Sequence, residues 1–283
     1  MNELQEKELD LLKEFVEFCE MHNLKYFLFA GTLLGAIRHS GFIPWDDDVD
    51  VAMPRPDYDK FCELASKHFT GDTFFQSFNT DKRYPYIFSK LRNSNTTFVE
   101  AVYKHVPMNH GVYIDIFPLD GISKKPKPKK WKMDLRVILI AIPWALSWPA
   151  KLMRKPRLKY CITDILIDIL LWPFLLFGIN NWSTKLYEKW AKKVKVEEST
   201  YVANYQCGDY RNTKNIYPTN LLDEFIDWQF EDLTCKVPKN YDEFLTLSYG
   251  DYMKLPPLSK QKGHHYHSGY DMNKSYREYL KIH

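Results

Sequence analysis

The sequence predicts an α+β fold in which one mixed β-sheet is flanked by helices and interrupted by a basic, apolar helical insertion. Three observations carry this. Helical and strand-like stretches interleave up to residue 69, and β-like runs then follow one another to residue 121. With 283 residues, 45% of them hydrophobic and 16% aromatic, the chain can bury a sizeable core. From about 123 to 198 the composition becomes basic, tryptophan-bearing and apolar, which predicts an insertion in a single domain spanning 1–283.

The elements follow in order. Residues 3–22 set Leu4, Leu11, Leu12, Phe15, Val16, Phe18 and Cys19 on one helical face, with Glu and Lys opposite. "YFLFA" (26–30) reads as a short buried strand. In "GTLLGAIRHSG" (31–41), Gly31 permits close backbone approach, Thr32 supplies a cap, and Leu33 to His39 form a short helix ended by Gly41. "VDVAM" (49–53) alternates as a strand with one carboxylate face, and Pro54 and Pro56 stop it. "DYDKFCELASKHF" (57–69) is helical with Asp57 as its cap. Strand-like runs come next: "FFQSF" (74–78), "YIFSKLRN" (86–93), "TFVEAV" (97–102) and "GVYIDIFPLDG" (111–121). Beyond the insertion's apolar part, "STKLYEKWAKKVKVEE" (183–198) reads as a solvated helix and "YVANYQC" (201–207) as a strand. "DEFLTLSYGDYMKLPP" (242–257) reads as a helix that ends in a loop. No internal repeat is found.

Five scattered cysteines (Cys19, Cys62, Cys161, Cys207 and Cys235) form no CxxC pair, which argues against a disulfide framework or a cysteine zinc cage. The acidic, amphipathic start lacks the features of a secretory signal, so a cytoplasmic protein is expected. Charge is unevenly distributed. Residues 122–160 hold nine lysines and three arginines against Asp134 alone, a local charge of +11 in a chain of net charge +3, which leaves −8 elsewhere. The apolar runs 137–150 and 162–179 contain prolines or aspartates and fall short of the roughly 20 apolar residues a span needs. Tryptophan beside lysine and arginine suggests attachment at an anionic membrane interface; a buried helical pair and a hairpin span are the alternatives.

"WDDDVDV" (45–51) packs four carboxylates into Asp46–Asp50. A solvated acidic turn and a metal site both explain such crowding. In a strand, Asp48 and Asp50 share a face roughly 6.5–7 Å apart, and Val49 and Val51 point into a core. Paired carboxylates repel, and a hard divalent cation such as Mg²⁺ (or Mn²⁺) removes that cost while engaging phosphate oxygens. Upstream, the Gly31–Thr32 turn at a helix start is suited to phosphate. Asp115, a charge inside an apolar strand, is the candidate third carboxylate. Asp46 and Asp47 are left to cap the turn or orient Arg38. Lys90 and Arg92, two apart on a strand, pair with phosphates or face water. Trp45 stacks on a base, shapes the entrance or packs in the core. Tyr84, Tyr86 and Tyr113 could form an aromatic cage for a quaternary ammonium. His264, His265 and His267 bind metal or phosphate, or belong to a disordered tail.

The stretch "FLFAGTLLGAIRHSGFIPWDDDVDVAMPRPDYDKF" (27–61) strongly resembles the signature of the LicD family of phosphotransferases, with looser similarity at 89–98, 111–121, 249–257 and "GHH" (263–265). No motif carries the likeness through 123–198. The resemblance implies a nucleotidyltransferase-type fold and metal-dependent transfer from a CDP-linked donor, CDP-choline or a CDP-alditol. Asp48 and Asp50 match the metal pair, Asp115 the third acid, and Gly31 and Thr32 the donor-phosphate turn. Arg38, Trp45, Lys90, Arg92, His264 and His265 fall on the donor-binding side.

The expected function is therefore Mg²⁺-dependent transfer of phosphorylcholine, with release of CMP, to a hydroxyl of a glycan or lipid-linked glycan, such as a teichoic-acid precursor, at the inner membrane face. A nucleotidyltransferase acting at the α-phosphate of an NTP is the nearer alternative. A catalytically decayed, membrane-associated glycan-binding protein is the more distant one. Nucleic acid is not expected as a partner, because the basic window lies among prolines and long apolar runs. The protein is predicted to co-sediment with anionic liposomes, less so at high salt, and to lose that binding when residues 124–180 are deleted.

Overall fold

The computed structural model describes residues 1–103, 106–122, 179–204, 216–263, 265 and 267–282. Most of the expected insertion, the end of the strand expected over 201–207, and His264 lie outside these residues. Helix α1 (Glu3–Met21) leads through β1 (Phe27–Leu28) into α2 (Ala30–His39), β2 (Asp50–Pro54) and α3 (Arg55–His68). Strands β3 (Thr73–Gln76), β4 (Ser89–Asn93), β5 (Thr97–Glu100) and β6 (Val112–Ile122) come next. Helix α4 (Ile179–Ala191), β7 (Tyr201–Ala203), β8 (Ile216–Pro218), β9 (Phe225–Phe230), β10 (Leu233–Pro238), α5 (Tyr241–Tyr249), β11 (His267–Asp271) and α6 (Tyr276–Ile282) complete the described chain.

The main sheet runs β1-β2-β6-β4-β3, and the far end of β6 adds β7 and then β8. Among the described residues, only the β2–β6 pairing in this sheet is parallel; the other pairs are antiparallel. The predicted α+β class with one mixed sheet is what forms. Strand β6 lies at its centre, buried along its whole length, as its run of apolar and aromatic residues requires. Helix α1 packs against β6 and β4, and α3 against β6 and β2. Phe15 of α1 meets Phe61 of α3 edge-on at 5.3 Å, and Phe61 meets Phe75 of β3 at 5.7 Å.

Several local expectations are corrected. Gln5 and Glu8 are buried, so the inward face of α1 is not purely apolar. Helix α2 starts at Ala30, two residues before the proposed cap, and Thr32 lies inside its first turn. Asp57 sits in the first turn of α3 rather than capping it; its Oδ1 accepts the backbone N–H of Lys25 at 3.0 Å. The helix expected over 183–198 ends at Ala191 and is not merely solvated, because Ser183, Thr184 and Tyr187 are buried. The expected tail contains β11, which pairs with β5. The β9–β10 hairpin was not foreseen, although "FIDWQF" and "LTCKVP" alternate, because its Glu231-Asp232 turn lacks the usual Gly or Asn. Glu231 takes φ +52° there and braces the chain after α2. Its N–H donates to Ser40 O, and its Oε1 accepts from Phe42 N–H, both at 2.9 Å.

A buried ion network ties α4 to the sheet. Arg55 Nε donates to Asp120 Oδ1 at 2.6 Å and its second terminal nitrogen to Oδ2 at 3.0 Å, while the first reaches Glu188 of α4 at 3.4 Å. Removing one partner of an enclosed pair leaves the other charge uncompensated. Asp120→Asn is expected to lower unfolding stability by about 3 kcal/mol, measured by chemical denaturation.

Candidate active site

Strand register assembles the site. Parallel pairing of β2 with β6 sets Asp50 opposite Asp115, and antiparallel pairing of β4 with β6 sets Lys90 opposite the same Asp115. Residues level across neighbouring strands share a face, so Asp50, Asp115 and Lys90 form one cross-strand row. The chain just before β2 is already pinned: Asp115 N–H donates to Val49 O at 2.8 Å, and Phe29 N–H to Asp50 O at 2.9 Å. The Thr32 hydroxyl accepts Asp50 N–H at 2.8 Å. Thr32 thus fixes the entry to β2. Val49 and Val51 are wholly buried on the opposite side, as the pleat requires.

Lys90 and Arg92 share a strand face as their spacing predicts, yet neither is solvated: their exposures are 1% and 0%. Lys90 Nζ lies 2.8 Å from Asp115 Oδ1 and 3.2 Å from the ring centre of Tyr113. Arg92 donates to Gln76 Oε1, to Gly111 O at 2.7 Å and to Glu100 Oε2 at 3.0 Å. These bonds withdraw Arg92 from any donor phosphate and make it a structural cation. The arrangement also closes the expected tyrosine cage. The Tyr113 ring is covered by Lys90 and, at 4.7 Å, by the Arg92 guanidinium, and Tyr86 gives its hydroxyl to Glu100 at 3.0 Å. A quaternary ammonium finds no open box there.

The turn before β2 gathers the other acids. Asp47 Oδ2 accepts the backbone N–H of His265 at 3.0 Å, and its Oδ1 lies 3.1 Å from His265 Nδ1. The same ring nitrogen is 3.8 Å from Asp48 Oδ2. Asp47, Asp48 and His265 each offer a ligand atom within 4.8 Å of the others. Gly263 allows this approach, since a Cβ there would stand 2.4 Å from Asp47 Oδ2. Asp46 points at the start of α2; a Cβ on Gly31 would be 2.8 Å from its Oδ2. That end of α2 bears unsatisfied N–H groups and positive potential, which favour an anion. Arg38 is half-buried, donating to Tyr252 O at 2.9 Å and to His39 Nε2 at 3.0 Å, and it interacts electrostatically with Asp46. Trp45 packs on the core edge, 6.3 Å from His39.

This crowding shows in the proton affinities. Burial, then Asp48 and Asp115, push Asp50 well above the usual carboxylate range. Burial raises Asp48 and Asp115 as well, against the pull of His265 on Asp48 and of Lys90 on Asp115. Asp46 is pushed up to about 7 by burial and by Asp48 and Asp47. Glu100 behaves oppositely: burial would raise it, but Lys90 and Arg92 hold it at about 2. The main-sheet acids outnumber the cations that face them. Such an oxygen-rich, under-neutralised neighbourhood suits a hard divalent ion, although among the described residues it is Asp47, Asp48 and His265, not Asp48, Asp50 and Asp115, whose ligand atoms already lie within 4.8 Å of one another.

The sequence does not single out Gln5, Glu8, Glu100 or Gly263 as site residues. Glu8 and Gln5 had a signal, being polar positions beside the apolar stripe of α1, but helical periodicity alone does not say that they are covered.

Burial would lower His265, but Asp47 and Asp48 raise it to about 9. A raised histidine stabilises the fold fully below its unfolded value, near 6.5, and that contribution is lost as pH rises through the folded value. In EDTA the unfolding temperature is expected to fall between pH 6.5 and about 9, and His265→Asn to flatten that slope, as thermal melts across pH will show.

The domain described as LicD/FKTN/FKRP, nucleotidyltransferase domain, matches residues 23–136. The lipopolysaccharide cholinephosphotransferase LicD of Haemophilus influenzae is 29% identical over 280 residues, which cover 93% of this chain and 94% of that protein. Shorter likenesses occur with uncharacterized proteins of Rickettsia typhi, 43% identical over 54 residues, and Rickettsia prowazekii, 47% identical over 47 residues. Each covers under a fifth of either chain: 19% of this one and 18% of its own for the first, 17% and 18% for the second. The matched domain holds the carboxylate-bearing strands, and the likeness to the Haemophilus influenzae protein runs along nearly the whole length, so the chain is similar to LicD phosphotransferases throughout.

Proposed function

We propose that this protein transfers phosphorylcholine from CDP-choline to a hydroxyl of a cell-surface glycan, with a divalent cation, Mg²⁺ or Mn²⁺, held by Asp48, Asp50 and Asp115. The observation that carries the chemistry is the cross-strand row of Asp50, Asp115 and Lys90 beside the start of α2. The group and the acceptor class rest on likeness to a relative named as a lipopolysaccharide cholinephosphotransferase.

In this reading the acceptor oxygen attacks the β-phosphorus. A new P–O bond forms, the bond to the bridging oxygen breaks, and CMP leaves with that oxygen. Asp115 takes the hydroxyl proton; Lys90, 2.8 Å away, fixes its orientation and holds it ionised when the cation is bound. The cation, when bound, neutralises charge on the diphosphate and on departing CMP. The first-turn N–H groups of α2, where the small Gly31 lets the Asp46 carboxylate approach, receive a donor phosphate when Asp46 gives way, and Arg38 from the last turn of α2 balances the Asp46 charge. Trp45 shapes the entrance. His265 holds Asp47 through two hydrogen bonds and so sets the Asp46–Asp48 turn.

No helix of the described residues is long and apolar enough to cross a membrane. The basic, tryptophan-bearing window 122–160 supports peripheral attachment on the inner face, close to a lipid-linked acceptor.

Purified protein incubated with CDP-choline, CDP-alditols or NTPs and Mg²⁺ is expected to release CMP from CDP-choline in the presence of glycan acceptor. Pyrophosphate release from an NTP instead would overturn the reading. Asp48→Asn and Asp50→Asn are each expected to reduce turnover by at least 10³-fold while circular dichroism stays native, and EDTA to abolish it.

A further inference from the structure

Helix α1 lies against the acidic turn through two polar residues three positions apart, Gln5 and Glu8, which therefore share a face. Both are 2% exposed. The Gln5 amide donates to Asp46 O at 3.0 Å and to Ile43 O at 3.4 Å, so this face meets the segment leading into β2. One turn further on, Glu8 Oε2 is fully enclosed and has no hydrogen-bond partner. The charges Glu8 feels most are Asp48, Asp47, Asp46 and Asp115, in that order. Helix α1 also packs on β4 and β6, the strands that carry Lys90 and Asp115.

A buried, unpartnered acid facing four others is the least favourable choice for folding alone; a leucine would fill the space without desolvation cost. It becomes favourable when a cation and its water shell stand among those acids. We propose that Glu8 is a positioning residue of the cation site, offering its open carboxyl oxygen to the ion's water shell and so holding the ion against Asp48. This rests on the divalent cation proposed at Asp48, Asp50 and Asp115. Partners behind the direct ligands typically change metal affinity 10–100-fold when removed.

The test is Mn²⁺ binding to the full-length chain without donor, followed by titration calorimetry and by the electron paramagnetic resonance of free Mn²⁺. Wild type, Glu8→Gln, Glu8→Met and Asp50→Asn are compared, with thermal melts of each protein in EDTA. Glu8→Gln and Glu8→Met are expected to bind Mn²⁺ about tenfold more weakly, with metal-free melting temperatures equal to wild type or higher. Affinities within threefold of wild type overturn the role of Glu8. So do weaker affinities accompanied by a clear drop in metal-free melting temperature, which mark Glu8 as a packing residue. Wild type that binds no Mn²⁺ removes the cation reading itself and this inference with it; tight binding by wild type that Asp50→Asn abolishes preserves that reading whatever Glu8 does.

Discussion

The parallel pairing of β2 with β6 is the constraint on which the site depends. It brings Asp50 level with Asp115, two carboxylates on adjacent strands. Like charges directly opposite destabilise a sheet, so the neighbouring structure has to compensate. Part of the compensation is Lys90 on β4, drawn into the same row and buried against the Tyr113 ring. The remainder is left to protons, or to whatever cation the site accepts. Burial then amplifies each imbalance, because charges interact more strongly away from water.

The cations of β4 divide their roles by two residues. Lys90 meets the acid that faces the site, whereas Arg92 is consumed by Gln76, Gly111 and Glu100. Glu100 closes the group by accepting from Arg92 and Tyr86, which keeps β5 and β4 in step. The result is a rigid, dry platform behind Asp115. Such a platform preserves the direction of one carboxylate, which positioning of a reacting hydroxyl demands.

Distant parts of the chain hold the acidic turn. Gln5 of α1 reaches its carbonyls, Glu231 of the β9–β10 hairpin grips the chain before it, and His265 pairs with Asp47 across 218 residues of sequence. Each brace is a hydrogen bond to this irregular segment from a part of the chain distant in sequence. Irregular backbone keeps one conformation only when its polar groups are satisfied from outside.

The sequence by itself determined the local features. Alternation at "DVDV" (48–51) separates Asp48 and Asp50 from Val49 and Val51, and the periodicity of 3–22 gives α1, because both depend on neighbours a few residues apart. The isolated charge in "GVYIDIF" singled out Asp115 on similar grounds. Only the tertiary structure decided which charges meet. Lys90 and Arg92 look equivalent in the sequence, yet register sets Lys90 level with Asp115, while side-chain packing brings Arg92 to Glu100. Thr32 resembled a helix cap and instead fixes Asp50. Glu8 resembled a solvent-facing acid and is enclosed by strands far from it in sequence. Burial and pairing are properties of the packed chain, set by contacts of long sequence separation, and local periodicity does not encode them.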